Sequence, residues 1–354
     1  MTMRVEIEDL RLAQGGGVAL DGVCLDVLEG ELLLLAGASG SGKSSLLRCM
    51  AGWTNPDSGS VRRVASPGAH SEGTLAVALV SQNYALWPHM SVEQNVGLPL
   101  RDAGIPRDAV PGRVASALEW VGLAGAGARR PAQLSAGEQQ RAALARALAQ
   151  RPGLLLLDDA LSTLGPSMRG AMRDLVVRLA REWGSTVVWA CGDPADACGV
   201  ADRVAVFDRG RVVQCGTPAA VFRRPVSREA ALALGDCAFV PGTVERAQGA
   251  SALCRTPLGL LEGFCAEEDL PEGSPVELLL RPGSVRMEAF GDENVFPAEI
   301  VSTLYQGATA LHRARSGGCE FRILELNPRV ARRDAGEEVS CWVDPDDLVV
   351  LPLR

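Results

Sequence analysis

The sequence predicts an α/β domain with a parallel central sheet, followed by a smaller all-β domain. Three observations lead to this expectation. A continuous apolar segment at 31–36 runs directly into a glycine-rich loop, as a buried parallel strand does. Two further apolar segments, Leu154–Leu157 and Thr186–Ala190, are separated by a helical pattern around 167–183. After about residue 235, short alternating segments are separated by turn signals instead.

The first domain begins with two alternating segments, at 3–12 and 19–28, that are typical of half-buried strands. From about residue 84 to 150 the pattern is helical, with proline and glycine breaks. We therefore place the first domain at 1–235, with a helical subdomain at about 84–150. The all-β domain is placed at 236–354 and is expected to be a small OB-like barrel.

Length and charge limit the class of protein. A chain of 354 residues is long enough for roughly two domains, and 47% hydrophobic with 22% charged residues is a globular composition. The net charge of −8, without a basic run, gives no reason to expect a nucleic-acid partner. No apolar stretch approaches the ~18 residues of a membrane-spanning helix, and no secretory signal is recognisable. We expect a soluble protein whose membrane role depends on partners.

The ten cysteines are scattered and form no CxxC pair. In a chain of this length without a secretory signal, that pattern favours buried thiols in a reducing cytosol. A disulfide framework, or a zinc or iron–sulfur site on these cysteines, is not expected.

A phosphate-binding loop with the pattern GxxxxGK[ST] follows the strand at 31–36. Its glycines bring backbone amide donors around a phosphate, its lysine neutralises phosphate charge, and its serine hydroxyl can ligate Mg²⁺. The helix that follows directs its positive end at the same phosphates. The expected nucleotide-binding residues are Gly37, Ala38, Ser39, Gly40, Ser41, Gly42, Lys43, Ser44 and Ser45.

Four further segments resemble motifs of ATP-binding-cassette proteins. Leu134–Arg141 (LSAGEQQR) resembles the cassette signature, and Val80–Met90 resembles the Q-loop segment of the importers. Leu154–Asp158 (LLLLD) resembles the Walker B strand, and 202–218 is similar to the family's closing segment. Since all of them occur in the family's order, the first domain is identified as a member of this family.

The resemblance implies an α/β phosphate-loop NTPase domain with an inserted helical subdomain, and an ATPase that works as a dimer. Each composite site would combine the phosphate loop and Walker B strand of one subunit with the signature of the other. Asp159 and Gln82 would be the catalytic residues, as candidate base and as sensor of Mg²⁺ or the attacking water. The Mg²⁺ ligands would be Ser44, Gln82 and Asp158. The signature residues acting in trans would be Ser135, Ala136, Gly137 and Glu138.

Partners and location are implied in the same way. ATP and Mg²⁺ are the expected cofactors. Integral-membrane permease subunits and a second cassette subunit, identical or different, are the expected direct partners, and a solute-binding protein is an indirect one. The chain would be cytoplasmic and peripheral on the inner face of the cell membrane.

The tail resembles a transport-associated OB domain. Leu278–Val285 (LLLRPGSV) is similar to the RPE-type motif of that domain, which follows the cassette in importers of several small solutes. Segments at 256–259 and 301–307 favour the iron(III) or polyamine branch. The expected function is therefore the ATP-binding motor of an importer for Fe³⁺, a polyamine or a similar solute.

Three positions near the expected site depart from the family's pattern. Asp159 stands where the family has a glutamate, Gly165 where it has an aspartate, and Gly192 where it has a histidine. Asp193 and Asp196 keep the family's spacing, so an alignment gap does not restore the histidine. A general base and an oriented donor each contribute on the order of 10²-fold or more to a rate.

Milder departures lie elsewhere: the aromatic residue that stacks on adenine is replaced near Gln14, and Ala136 and Glu138 alter the signature. Two interpretations stay open. The chain is either a working ATPase, or a degenerate cassette that binds ATP but hydrolyses it poorly. The degenerate cassette would serve as a heterodimer partner or a regulatory nucleotide-binding module.

Overall fold

The computed structural model describes residues 3–65, 76–192, 198–266, 270–287, 291–328 and 333–353. The chain divides into two compact units, Met1–Pro218 and Ala219–Arg354. This division precedes the boundary at residue 235 that the sequence suggests, since the segment 219–235 groups with the second unit.

A three-stranded antiparallel sheet opens the first unit. In spatial order its strands are β2 (Gly17–Val27), β1 (Met3–Gln14) and β4 (Ser58–Ala65). Gly15 and Gly16 have φ angles of 62° and 84° and form the two-residue turn between β1 and β2. Tight hairpin turns require such positive φ angles, so the strands continue up to these glycines, beyond the bounds that the sequence suggests.

The main sheet of the first unit has six strands. In spatial order they are β5 (Val77–Val80), β6 (Leu154–Asp158), β7 (Thr186–Ala190), β3 (Leu32–Ala36), β8 (Arg203–Asp208) and β9 (Arg211–Gly216). Neighbouring strands are parallel except β8 and β9, which are antiparallel. Every residue of β3, β6 and β7 is buried, as expected for central strands covered on both faces. The expected parallel sheet is confirmed.

Five helices of the first unit lie within the described residues: α1 (Lys43–Ala51), α2 (Val92–Asp102), α3 (Val110–Trp120), α4 (Ala136–Leu148) and α5 (Pro166–Trp183). Residues 84–91 form an irregular loop, so the helical pattern expected from residue 84 begins only at α2. Ser91 starts α2 with a capping box, since its hydroxyl accepts from the Gln94 amide while the Gln94 side chain accepts from the Ser91 amide.

The second unit begins with two short helices, α6 (Pro218–Arg223) and α7 (Arg228–Ala233). A closed barrel follows, with strand order β10 (Ala238–Gln248), β11 (Ser251–Thr256), β12 (Gly259–Cys265), β19 (Val349–Pro352) and β13 (Pro275–Leu280). A second sheet has the order β14 (Val285–Arg286), β18 (Glu338–Val343), β15 (Val295–Tyr305), β16 (Thr309–Ser316) and β17 (Cys319–Leu326). The expected all-β, OB-like tail is confirmed.

The arginine of the RPE-type motif, Arg281, is buried in the second unit. Its guanidinium lies 3.8 Å from the centre of the Phe222 ring, and Nη2 donates to the carbonyl oxygens of Phe222 at 3.1 Å and Ala231 at 3.3 Å. Burial lowers the pKa of Arg281. The residue therefore attaches both short helices to the barrel.

None of the ten cysteines is joined to another in a disulfide. Cys254 and Cys341 are among the buried ones, as expected, but Cys24 and Cys215 are exposed. The expectation of uniform burial is wrong for these two because each lies on an outward-facing position of its strand, β2 or β9.

Candidate nucleotide-binding site

A cavity of about 590 Å³ lies where β3, β6 and β7 end. In open α/β sheets, ligands bind outside the carboxyl ends of the strands. The cavity is lined by every expected nucleotide-binding residue except Ser41, and also by Gln82, Asp158 and Asp159. Residues from three sequence motifs therefore meet in one space large enough for a nucleotide.

The loop that follows β3 needs glycine at two positions. Gly37 and Gly42 have φ angles of 137° and 109°. A Cβ at Gly37 would lie 2.2 Å from the carbonyl oxygen of Phe207, and one at Gly42 would lie 2.5 Å from that of Ala19. Backbone thus packs directly on backbone, and the loop keeps a shape in which its amides can surround a phosphate.

The N-terminus of α1 is open toward this loop. Its N-cap residue, Gly42, offers no side chain to accept from the first-turn amides. Unpaired first-turn amides and the positive end of the helix dipole together make an anion-binding site. The fit to a phosphate group therefore rests on the backbone of this chain.

Lys43 extends across the loop. Its Nζ donates to the carbonyl oxygens of Gly37 and Ala38, both at 2.8 Å, and to the hydroxyl of Ser41 at 3.3 Å. Burial lowers the pKa of Lys43, opposed by the nearby Cys191, Asp158 and Asp159. Ser41 is buried and contacts this amine, which explains its absence from the cavity lining.

Oxygen donors suited to Mg²⁺ lie beside the lysine. The Ser44 hydroxyl donates to Asp158 Oδ1 at 2.7 Å, and Gln82 lines the same cavity. Burial raises the pKa of Asp158, whereas the hydrogen bond from Ser44 and the nearby cations lower it. Hydroxyl, amide and carboxylate oxygens match a hard cation that keeps several water ligands. Among the described residues no group of three or more His, Cys, Asp or Glu forms a separate metal site.

Asp159 begins the turn after β6 in a strained conformation. Its φ angle is 51°, which is uncommon for a residue with a Cβ. Its amide donates to the carbonyl oxygen of Ala190 at 2.8 Å, and its Oδ1 accepts from the amide of Gly192 at 3.4 Å. The carboxylate is thus held at the edge of the cavity by backbone that follows β7.

The surroundings of Gly192 bear on the missing histidine. Among the described residues, a Cβ at this position would have only Asp159 Oδ1 within 4 Å, at 3.8 Å. A second cavity of about 250 Å³ adjoins the first and shares Asp159, Cys191 and Gly192 with it. Its lining also includes Arg169 and Arg173 of α5. Asp193 and Asp196, which fix the alignment here, lie outside the described residues.

The signature residues Ser135, Ala136, Gly137 and Glu138 do not line this cavity among the described residues. They form the start of α4, where Ser135 is the N-cap and Glu138 completes a capping box. Glu138 Oε2 accepts from the Ser135 amide at 2.9 Å and from its hydroxyl at 2.8 Å. These bonds, the backbone one first, lower the pKa of Glu138. The structure therefore does not bring these four residues to the phosphate loop of the same chain.

The cavity also includes residues that the sequence did not single out. Val18 and Ala19 of β2 lie against the loop, and no motif marks them. Cys191 directly follows β7, so its position at the carboxyl end of a central strand was a usable signal. Gln14, which the sequence analysis places near the adenine, lines the cavity. Its Oε1 accepts from the Ser45 hydroxyl at 3.2 Å.

Two family models match the chain. The model described as ABC transporter matches residues 20–162, and the model described as TOBE domain matches residues 278–351. A solved dimeric structure of the ATP-binding cassette MJ0796, in a post-hydrolysis state with ADP and Pi, superposes with a TM-score of 0.54 at 26% identity. It covers 60% of this chain and 98% of that chain.

Curated relatives match over most of their length. The spermidine/putrescine import ATP-binding protein PotA of Rubrobacter xylanophilus is 36% identical, over 98% of this chain and 93% of the relative. PotA of Marinobacter nauticus is 39% identical, over 83% and 79% respectively. The putrescine transport ATP-binding protein PotG of Escherichia coli is 32% identical, over 99% and 96%. Each helix within the described residues is too short or too polar to span a lipid bilayer.

Proposed function

Because the chain belongs to the ATP-binding-cassette transporter family, as an importer-type ATPase, we propose that it powers uptake of a polyamine of the spermidine or putrescine type. The observation that supports an ATP-driven role is the intact phosphate loop, which faces a nucleotide-sized cavity beside Asp158 and Asp159. Polyamine as the solute is supported by relatives that match both the cassette and the tail.

In the proposed site, Lys43 and the amides of the loop hold the β- and γ-phosphates of ATP. Ser44, Gln82 and Asp158 would hold Mg²⁺. When bound, the ion neutralises phosphate charge and orients the γ-phosphate. Asp159 accepts a proton from the attacking water, and its orientation is maintained by the amide of Gly192.

The complete site requires two cassettes. The start of α4, with the Ser135 hydroxyl and the Gly137 amide, would supply donors to the γ-phosphate of a second subunit's nucleotide. We propose a homodimer that associates with permease subunits at the inner face of the cell membrane. The segment between residues 84 and 150 would contact the permease.

The degenerate-cassette alternative rests on Asp159 and Gly192 and receives no support from the relatives, which are named as import ATP-binding proteins. Asp159 keeps a carboxylate at the cavity, so the site retains a candidate base.

The test reconstitutes the chain with permease subunits and solute-binding protein in proteoliposomes containing Mg·ATP. Uptake of labelled spermidine or putrescine is expected, whereas Fe³⁺ should not be taken up. Uptake of Fe³⁺ without polyamine uptake would overturn the solute assignment.

Lys43→Ala provides the matched loss of function. It should weaken Mg·ATP binding and abolish uptake because the phosphate charge loses its partner. Arg178→Ala, which removes an exposed cation from α5, is the control. Calorimetry that shows equal Mg·ATP affinity for Lys43→Ala and wild type would contradict the proposed role of the loop.

A further inference from the structure

The loop that carries Gln82 and the turn that carries Asp159 are joined by one short chain of hydrogen bonds. The Tyr84 hydroxyl donates to Thr163 Oγ1 at 3.0 Å, and the Thr163 hydroxyl donates to Gln140 Oε1 at 2.6 Å. Tyr84 lies two residues after Gln82, and Thr163 lies four residues after Asp159. The chain of bonds therefore connects the two places where the proposed site senses Mg²⁺ and activates water.

Both connected segments are conformationally strained. Tyr84 and Ala85 have φ angles of 62° and 47°, and Asp159 has one of 51°. Left-handed conformations at residues with a Cβ persist only where surrounding contacts impose them, and such residues are frequent in switch regions. Neither segment would keep this geometry without its partners.

For the loop that carries Tyr84 and Ala85, these contacts come from α4. Arg146 donates through Nη1 to the Ala85 carbonyl oxygen at 2.6 Å and through Nη2 to the Tyr84 carbonyl oxygen at 2.8 Å. Its guanidinium also lies 5.0 Å from the centre of the Trp87 ring. The loop is thus fixed at its backbone by Arg146 and at its side chain by Thr163.

Thr163 is the only one of these partners that lies in the Asp159 turn. That turn is closed locally, since the Ser162 hydroxyl donates to the Asp159 carbonyl oxygen at 3.0 Å. Gln140 is fully buried, and its Nε2 has no hydrogen-bond partner among the described residues, so its amide is held through the oxygen that accepts from Thr163. Movement of either segment must break or move the Thr163 bonds.

We propose that Thr163 is a positioning residue that couples the conformation of the Gln82 loop to that of the Asp159 turn. The hydroxyl accepts from Tyr84 and donates to Gln140, and successive bonds of this kind strengthen one another. This inference rests on the proposed roles of Gln82 and Asp159. Loss of the link leaves the phosphate loop intact, so it affects turnover and leaves ATP binding unchanged.

The experiment measures steady-state phosphate release by the full chain with Mg·ATP. Thr163→Val keeps the shape and removes the hydroxyl, and Tyr84→Phe removes the other half of the same bond. Each should lower kcat about threefold to tenfold, the range for one lost hydrogen bond, with KM unchanged. Thr163→Ser keeps the hydroxyl and should therefore have the kcat of the wild type. The double variant should be no slower than the slower single variant, because both changes break one link.

Tyr305→Phe is the matched control, since Tyr305 is the only other tyrosine in the sequence and half of its surface is exposed. The fraction of competent protein is counted by calorimetric ATP stoichiometry, which removes any effect of misfolding from kcat. Additive losses in the double variant, or unchanged kcat in both single variants, would overturn the link.

Asp159→Asn separates this inference from its premise. If Asp159→Asn abolishes turnover while Tyr84→Phe and Thr163→Val do not change it, only the link is wrong. If Asp159→Asn turns over like wild type, the assignment of the base is wrong, and the link loses its proposed role.

Discussion

At the scale of single residues, the site depends on one amine. Lys43 is the only lysine in the sequence, and two carbonyl oxygens at 2.8 Å hold its Nζ within the loop. Burial lowers its pKa, so a larger fraction of the amine is neutral at a given pH than on a surface lysine. An amine-reactive reagent therefore has a single side-chain target, and that target lies in the nucleotide cavity.

Acylation of Lys43 should report nucleotide occupancy. We expect an N-hydroxysuccinimide ester to modify Lys43 in the nucleotide-free protein, faster as the pH rises toward the lowered pKa, because only the neutral amine reacts. Saturating Mg·ATP should protect it, which peptide mass spectrometry would measure. The N-terminal amine is the internal control and should react at the same rate with or without nucleotide. Equal modification of Lys43 in both states would place the nucleotide elsewhere.

The two departures at the catalytic edge give a second prediction. Asp159→Glu extends the carboxylate by one methylene, and Gly192→His places an imidazole where, among the described residues, a Cβ would have only Asp159 Oδ1 within 4 Å. Each substitution should raise kcat about tenfold or more, the scale of a general base or oriented donor. The pair should exceed the product of the single effects, because both act on one transition state. KM for ATP should change little.

Steady-state phosphate release by the wild type, both single variants and the double variant checks this, in the presence of the membrane partner. Arg178→Ala again serves as a control. If the wild type already turns over at about 1 s⁻¹ or faster and neither substitution helps, Asp159 is sufficient as it stands.

At the scale of elements, sequence patterns predict those strands, loops and helices whose structure depends on residues close together in the sequence. The apolar run into β3, the glycine loop and α1 were predictable because strand burial, backbone freedom and phosphate chemistry coincide there. The loop at Tyr84 and Ala85 was not, since its left-handed conformation is imposed by Arg146 from α4, distant in sequence. Likewise, no motif marks Val18 or Ala19 as part of the cavity. Secondary-structure propensities do not reveal contacts between residues that are far apart in the sequence.

The alternation of buried and exposed residues along a strand predicts which cysteine thiols react with a reagent. Cys254 of β11 and Cys341 of β18 face the interior, and burial raises their pKa values to about 11 and about 12. At pH 8 almost no thiolate forms at either position, so iodoacetamide should leave both unmodified in the native protein. Cys24 is exposed on β2 and should react. Mass spectrometry before and after denaturation checks this, and all three should react once unfolded. Rapid native modification of Cys254 or Cys341 would mean that the second unit opens readily.

At the scale of the whole molecule, each of the two units has its own hydrophobic core. The cassette cavity is lined by residues of the first unit alone. In the second unit, Ala231 of α7 packs with Leu279, Val349 and Leu351. A chain cut at residue 235 would retain α7 without these barrel contacts, whereas a cut at 218 follows the division between the units.

A chain of residues 1–218 should bind Mg·ATP with the affinity of the full chain, measured by calorimetry. Residues 219–354 should unfold cooperatively on their own, with a β-type circular dichroism spectrum. Residues 1–235 should be more prone to aggregation than 1–218, because the apolar face of α7 is uncovered. Loss of ATP binding in 1–218 would show that the cassette needs the tail.

Closure of the barrel imposes an order on biosynthesis. Strand β19 lies between β12, to which it is parallel, and β13, to which it is antiparallel. During synthesis, every strand of the cassette is therefore complete before β19, the last strand of the barrel, has been made. Until residues 349–352 emerge from the ribosome, β12 and β13 each have an unpaired edge that chaperones and proteases can recognise. A chain that lacks residues 349–352 should still bind ATP through its cassette, whereas its barrel cannot close.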